Sequence, residues 1–275
     1  MISYRRSLSV CLLTSIVTAL SAATAPAFVC EHANPRDPGS PCVHWVPATP
    51  TMRSFLGIPA NGGPLLNGTT TWDQNAINAA NDWNAVGAAF HLSVQVGGAF
   101  SEPCGLPGPG HACNNTGPSG DNPIIFRSSF CGQDFGDIIE LTNVCPAADG
   151  TMINAPVFVS NTVLWNAYDG PIQFAGNGQV LNDIRRVLVH EFGHVLGLDH
   201  PDQHNQSVTA IMNSRESDVY QLQPDDRQGI ASLYPSGAPP TNTGCRLQGT
   251  PTADRRNIAV LVAVGVVALS RARRR

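Results

Sequence analysis

The most restrictive feature of this sequence is an eleven-residue string in which three histidines and one glutamate hold fixed positions. It reads His-Glu-Phe-Gly-His-Val-Leu-Gly-Leu-Asp-His over residues 190–200. His190 and His194 are four residues apart, so on a helix both imidazoles project from one face, one turn apart. Gly197 can adopt a positive φ and end the helix, which lets the chain turn back and carry His200 towards the pair.

Three imidazoles at this spacing predict a catalytic zinc site. His190 and His194 can reach one Zn²⁺ at about 2.0–2.1 Å, and His200 can supply the third ligand. Three protein ligands leave a fourth position for water, which distinguishes a catalytic zinc from a structural one. Glu191 is placed beside the water and is predicted to act as the general base that takes its proton and passes it to a leaving amine. The alternative is a cluster of neutral surface histidines without a metal.

Hydrophobic periodicity predicts three helices and several short strands. The clearest helix covers residues 183–196, with Asn182 as its cap and Asp183 at the positive end of its dipole. The other helices are predicted at residues 71–86, ended by Gly87, and at residues 224–233, where Pro224 takes the first position. Strands are predicted at residues 43–46, 91–96, 124–126 and 157–159.

The N-terminal segment has the three parts of a secretory signal peptide. Arg5 and Arg6 precede an apolar run over residues 8–20, and small residues then lead to a cleavage site near Ala27. The apolar run is too short to cross a hydrocarbon core of ~30 Å as a helix. We therefore predict a signal peptide over 1–27 and an exported protein, located outside the cell or on a bacterial cell surface.

The C-terminus has the features of a second targeting segment. Residues 236–257 form a linker rich in Pro, Thr and Gly, and residues 258–275 comprise a short apolar run followed by an arginine cluster. This layout, with Cys245 in the linker, resembles the C-terminal sorting tails of myxobacterial surface proteins. The resemblance implies processing by a membrane protease, with Cys245 as the processing or lipidation point. A plain short membrane anchor is the alternative, and in either case we expect membrane contact only through this tail.

Six cysteines remain between the two ends. An even number in an exported chain predicts three disulfides, although six cysteines allow 15 connectivities. Their close spacing favours sequential pairing. The predicted bridges are Cys30–Cys42, Cys104–Cys113 and Cys131–Cys145.

The body of the chain is acidic. Residues 28–235 contain seven of the 16 arginines and 19 of the 20 acidic residues, a net charge of −12, which disfavours a nucleic-acid partner. This charge is compatible with bound Ca²⁺, and the alternative is that the loop acids are ordinary solvated side chains. The candidate calcium ligands are Asp121, Asp134, Asp137 and Asp149.

The string at 190–200 resembles the zinc-binding signature of the metzincin metallopeptidases, and within them the matrixins. Met212, twelve residues after His200, fits the methionine-containing turn that metzincins place beneath the zinc. Residues 222–234 also resemble the matrixins, and residues 72–83 resemble the first helix of that fold.

The resemblance implies an α+β (α/β-like) catalytic domain over residues 28–235, with a twisted, mixed, mostly parallel sheet, three helices and disulfide-closed loops. It also implies structural calcium and a substrate that lies extended along an edge strand. We expect a monomeric secreted or surface zinc endopeptidase that cuts proteins or peptides. The alternatives are a zinc-binding adhesion module without catalysis and a processing protease of narrow specificity.

Overall fold

The computed structural model describes residues 28–100, 102–104 and 122–236. The predicted signal peptide, linker and tail lie outside these residues, apart from the linker's first residue, Ser236. Within them, none of the helices is long and apolar enough to cross a membrane.

The described part of the chain contains three α-helices and fourteen short strands. The helices are α1 (Trp72–Asn84), α2 (Ile184–Val195) and α3 (Pro224–Leu233), and a 3₁₀ turn covers Pro201–His204. The strands are β1 (Val29–Cys30), β2 (Thr51–Ser54), β3 (Ser93–Val96), β4 (Pro123–Arg127), β5 (Ser129–Phe130), β6 (Gln133–Asp134), β7 (Glu140–Thr142), β8 (Cys145–Pro146), β9 (Met152–Asn154), β10 (Val157–Ser160), β11 (Trp165–Asn166), β12 (Gln173–Phe174), β13 (Val180–Asp183) and β14 (Leu198–Asp199).

The main sheet has five strands in the order β3-β2-β4-β10-β7. Strand β2 pairs in parallel with β3 and β4, β4 pairs in parallel with β10, and only β7 runs antiparallel, at one edge. A mixed, mostly parallel sheet with three helices agrees with the predicted α+β class. Strand β2 was not predicted because Ser54 interrupts its apolar alternation, yet Ser54 is fully buried and donates a hydrogen bond to Asp73 at 2.5 Å.

The helices match the predictions closely. Thr71 caps α1 by accepting a hydrogen bond from the backbone N–H of Gln74, and α3 has the predicted bounds. The cap of α2 is corrected from Asn182 to Asp183, whose carboxylate accepts the Arg185 N–H at 3.2 Å. Asn182 instead belongs to β13, where its side chain donates to the carbonyl of Leu164.

Buried aromatic side chains anchor α2 in the core. Trp83 of α1 donates its indole N–H to the carbonyl of Val189 at 2.8 Å, and Trp45 donates to that of Val195 at 2.7 Å. The Tyr234 hydroxyl donates to the Leu196 carbonyl at 3.0 Å. Each ring therefore buries its apolar surface while its polar tip remains hydrogen-bonded. The helix that carries the histidine string is thus fixed from several sides.

The disulfide pairing is only partly as predicted. The Cys30–Cys42 bridge is confirmed, but Cys104 bonds to Cys131, so the predicted 104–113 and 131–145 bridges are both wrong. The β5–β6 hairpin turns at Cys131 and brings it within 5.1 Å of Cys104 between the two Cα atoms. Cys145 is also disulfide-bonded. The pairing predicted from spacing along the chain failed here because the β5–β6 hairpin determines which cysteines come together.

The N-terminal segment packs against the end of the histidine string. Strand β1 pairs antiparallel with β14, matching Val29 with Asp199 and Cys30 with Leu198. The strand predicted at residues 43–46 is not formed. That stretch makes only a single bridge, between His44 and Thr151. It lies just after the loop closed by Cys30–Cys42, and Pro47, which follows it directly, lacks the N–H that a longer ladder would need.

Candidate metal centre

The three histidines of the string converge on one point. The Nε2 atoms of His190 and His194 are 3.2 Å apart, and each lies close to the Nε2 of His200, at 3.1 Å and 3.0 Å respectively. Helix α2 sets the first two side chains one turn apart, as the spacing predicts. In the part of the chain that the structure describes, no other group of three His, Cys, Asp or Glu side chains could hold a metal ion.

Gly197 makes the turn that delivers His200. Its φ is +98°, and a Cβ at this position would lie 2.1 Å from the carbonyl oxygen of Val43. Any other residue would therefore be strained in backbone conformation and would clash with the neighbouring backbone. The glycine lets the chain reverse directly after α2 and enter β14, which ends just before His200.

The chemistry of the donor set fits a zinc ion. His190 donates its Nδ1–H to the carbonyl of Ile211 at 2.7 Å, and His194 donates to that of Leu198 at 2.9 Å. Because a carbonyl can only accept, Nδ1 carries a proton in both rings, which leaves Nε2 as the atom that can bind a cation. Zn–N bonds of 2.0–2.1 Å in a tetrahedron place nitrogens about 3.3 Å apart, close to the separations found here.

Burial and mutual repulsion control the protonation of the cluster. Burial, with the neighbouring His194, lowers the pKa of His190 to about 3 and that of His200 to about 4. Burial also opposes charge on His194, but the Glu31 carboxylate and Glu191 outweigh it and raise its pKa to about 9. Two imidazoles are thus neutral at pH 7, while the third holds a proton that a bound cation would displace.

Glu191 lies in the same cleft and is held by a strand. Its side chain is only 5% exposed, and one carboxylate oxygen accepts a hydrogen bond from the Thr142 hydroxyl at 2.6 Å. Thr142 belongs to β7, the edge strand of the main sheet. Thr142 was not identified from the sequence, because β7 is too short to show a periodic signal and lies 49 residues from Glu191.

Met212 packs against α2 at Gly193, next to His194 in the string. It is 2% exposed, and its sulfur packs so closely on α2 that a Cβ at Gly193 would lie 2.1 Å from it. Asp226 fixes this turn by accepting the N–H groups of Ile211 at 3.0 Å and Met212 at 3.2 Å. Since the Ile211 carbonyl orients His190, the turn also supports the first histidine.

A cleft of about 1140 Å³ runs past these groups. The cleft is lined by the histidine cluster and Glu191, by β7 and by residues 213–217. Glu140 of β7 also lines the cleft, although neither of its buried oxygens has a hydrogen-bond partner among the described residues. Burial, and then the charge of Glu191, raise the pKa of Glu140 well above its usual value.

The calcium candidates do not form a comparable cluster. Asp121 lies outside the described residues, and Asp134, Asp137 and Asp149 belong to no group of three metal-ligating side chains within them. The Asp149 carboxylate accepts the N–H of Thr151 at 2.9 Å, as is typical of a turn. Calcium binding therefore stays a prediction.

The chain is similar to known proteins over its central part. A family model described as matrixin matches residues 65–235. Stromelysin-3 from Mus musculus is 40% identical over 84 residues, covering 29% of this chain and 16% of that protein. Matrix metalloproteinase-15 from Homo sapiens is 36% identical over 73 residues, covering 26% and 11%, and stromelysin-3 from Rattus norvegicus is 43% identical over 83 residues, covering 28% and 16%. The chain thus spans less than a fifth of the length of these relatives.

Among solved structures, a chain of the GM1-bound form of the ECX AB5 holotoxin gives a TM-score of 0.39 at 10% identity, covering 76% of this chain and 88% of that chain. A TM-score this low supports no conclusion about fold or function. The family match, in contrast, covers more than half of the chain and contains the three histidines, Glu191 and Met212. The chain belongs to the matrixin family.

Proposed function

We propose that this protein is a zinc-dependent endopeptidase that cuts extended segments of proteins or peptides. The observation that carries the proposal is the convergence of three imidazole Nε2 atoms beside a buried carboxylate, in a cleft that is also lined by an edge strand. His190, His194 and His200 would hold the ion. The zinc ion supplies a Lewis acid that polarises the scissile carbonyl and makes a neighbouring water more acidic.

Glu191 moves the protons. Its carboxylate takes a proton from the attacking water and then delivers it to the nitrogen of the leaving amine. The hydrogen bond from Thr142 fixes one carboxylate oxygen, so the other is left to face the cleft and exchange the proton. Positioning by a side chain on the sheet keeps the base oriented without requiring it to bind the metal.

Strand β7 is the expected binding edge for the substrate. It is the last strand in its sheet, lines the cleft and contacts Glu191 of α2 through Thr142. An extended peptide can add to such an edge through backbone hydrogen bonds, which select for conformation rather than for one side chain. This mode favours unfolded or flexible protein segments as substrates.

Two alternatives make different predictions. A zinc-binding adhesion module needs the histidines but has no use for Glu191, whose buried and hydrogen-bonded position favours catalysis. A processing protease of narrow specificity would share the whole centre, and only a cleavage profile over a peptide library separates it from a broad endopeptidase.

The proposal is tested by Glu191→Ala in a fragment comprising residues 28–235. Since Glu191 is not a ligand, zinc content and melting temperature should match the wild type, while peptide cleavage falls by at least the roughly 10²–10⁴ expected from loss of a general base. Glu102→Ala, which truncates an exposed glutamate that does not line the cleft, serves as the control and should retain activity. Near-wild-type turnover of Glu191→Ala would rule out this mechanism.

We also propose that the protein is exported and then released from a membrane by cleavage near Cys245. The signal-like segment over 1–27 and the arginine-terminated apolar run over 258–275 support this route. Intact-mass measurement on protein from the native host tests it. A mature chain that begins near Phe28 and still ends at Arg275 would instead support a simple anchor.

A further inference from the structure

A segment that precedes the family match contacts the metal centre. The matrixin model begins at residue 65, whereas β1 pairs with β14, the strand that leads into His200. We refer to residues 29–43 as the N-terminal hook. The hook contributes both backbone hydrogen bonds and a charged side chain to the centre.

Backbone hydrogen bonds fix Glu31 within the hook. Its N–H donates to the Gly197 carbonyl at 2.8 Å, and its carbonyl accepts from the N–H of Val43 at 2.8 Å. The Cys30–Cys42 disulfide joins the two sides of the hook next to these bonds. Glu31 is therefore held between the turn that delivers His200 and a covalently closed loop.

The side chain of Glu31 lies on the Nδ1 side of His194, away from the Nε2 atom that points to the metal centre. Its Oε1 lies 3.3 Å from Nδ1 of His194, and the side chain is only 23% exposed. The same Nδ1–H donates its hydrogen bond to the Leu198 carbonyl at 2.9 Å, so the Glu31 carboxylate adds an anionic neighbour beside that bond. For comparison, Nδ1 of His190 donates to a neutral carbonyl, and the Asp199 carboxylate is 3.9 Å from Nδ1 of His200.

We propose that Glu31 is a positioning residue for the metal centre: it orients His194 and strengthens its Nε2 as a donor, and the disulfide-closed hook holds Glu31 there. A carboxylate behind an imidazole fixes its tautomer and increases its basicity, and loss of such a partner typically costs 10–100-fold in metal affinity. The inference rests on the proposed zinc site. It adds that this site is incomplete without a segment outside the matched family region.

The test is zinc affinity, measured in the 28–235 fragment by competition with a chromophoric chelator. Glu31→Gln keeps the shape of the side chain but removes its charge, and we expect zinc to bind 10–100-fold more weakly. Asp37→Asn removes the same charge from an exposed position in the same hook and should change the affinity less than threefold. Glu31→Asp retains a carboxylate and should fall between Glu31→Gln and the wild type.

A second readout separates positioning from a general loss of stability. With cobalt bound at full occupancy, Glu31→Gln should shift the visible absorption bands, because the donor strength of one ligand has changed, whereas Asp37→Asn should leave them unchanged. Replacing both Cys30 and Cys42 with Ala should weaken zinc binding although Glu31 itself is intact.

The outcomes also distinguish this inference from the proposed function. If the wild type fails to bind one zinc ion, or Glu191→Ala stays active, the proposed function is wrong. If the wild type binds zinc and Glu191→Ala is inactive, but Glu31→Gln has wild-type affinity and an unshifted cobalt spectrum, only the role of Glu31 is overturned.

Discussion

Glu140 shows how a single residue can impose a pH dependence on the whole domain. It is 4% exposed, and burial with Glu191 nearby raises its pKa well above 4.5. Between pH 4.5 and that raised pKa the folded protein binds more protons than the unfolded chain, so the free energy of unfolding falls as pH rises. Each pKa unit by which the folded state exceeds the unfolded state lowers the free energy of unfolding at high pH by about 1.4 kcal/mol.

Glu140→Gln should remove this cost. The variant is expected to melt at the same temperature as the wild type near pH 4.5 and at a higher temperature at pH 8, because the amide cannot ionise. Thermal unfolding of the zinc-loaded protein across this range measures the difference. Glu102→Gln, at a side chain that is 49% exposed, is the control. Parallel pH curves for Glu140→Gln and the wild type would contradict the prediction.

The ligand assignment makes a second prediction at the residue scale. His200→Ala should lower both zinc affinity and peptide cleavage, because it removes one of the three converging nitrogens. Asp199→Ala should keep zinc, because its carboxylate is occupied by the backbone N–H of His200 at 2.7 Å and by His204 at 2.9 Å. Metal analysis after dialysis compares the two. Retention of zinc by His200→Ala with loss from Asp199→Ala would reverse the assignment.

At the scale of elements, α3 supports the turn that carries Met212. Asp226 in the first turn of α3 accepts three backbone N–H groups, from Ile211, Met212 and Gln223. This turn also places the Ile211 carbonyl against His190. Helix α3 therefore reaches the metal centre through one buried carboxylate.

Asp226→Ala should destabilise the domain and impair the centre together. Two buried donors and one partly buried donor lose their acceptor, at a cost of roughly 1–3 kcal/mol for each buried donor left unpaired, so we expect a loss of at least about 2 kcal/mol. Zinc affinity should also fall as His190 loses its orientation. Chemical denaturation and zinc competition measure the two effects. The adjacent Asp225→Ala is the control, and an equal loss in both variants would exclude the proposed link.

The elements that we predicted correctly from the sequence are those whose structure is determined by residues close by in the chain. Helices α1, α2 and α3 have repeating apolar faces and caps within a few residues, and their bounds were found to within about two residues. Strand β7 and the hairpin that pairs Cys131 with Cys104 depend on distant partners. The three histidines could be predicted because they lie within eleven residues of one another. Thr142 and Glu31 could not, because they reach the site from distant parts of the chain.

At the scale of the whole molecule, the acidic body bears on calcium. Residues 28–235 carry a net charge of −12, which a bound divalent cation would partly offset. If calcium binds the native state alone, the melting temperature should rise with calcium concentration at a fixed free zinc concentration. Magnesium at the same concentration is the control. An unchanged melting curve between zero and millimolar calcium would contradict calcium binding to the native state.

The pairing of β1 with β14 also has a consequence for the timing of activity. Val29 and Asp199 are neighbours in space but 170 residues apart in the chain. Closing so large a loop is slow and entropically costly compared with forming α2 alone. If Glu31 and the hook complete the metal centre, a chain still emerging from the ribosome has no assembled site, although its first residues have long been made. The pairing of β1 with β14 would then be a contact that must form before the newly made chain becomes active.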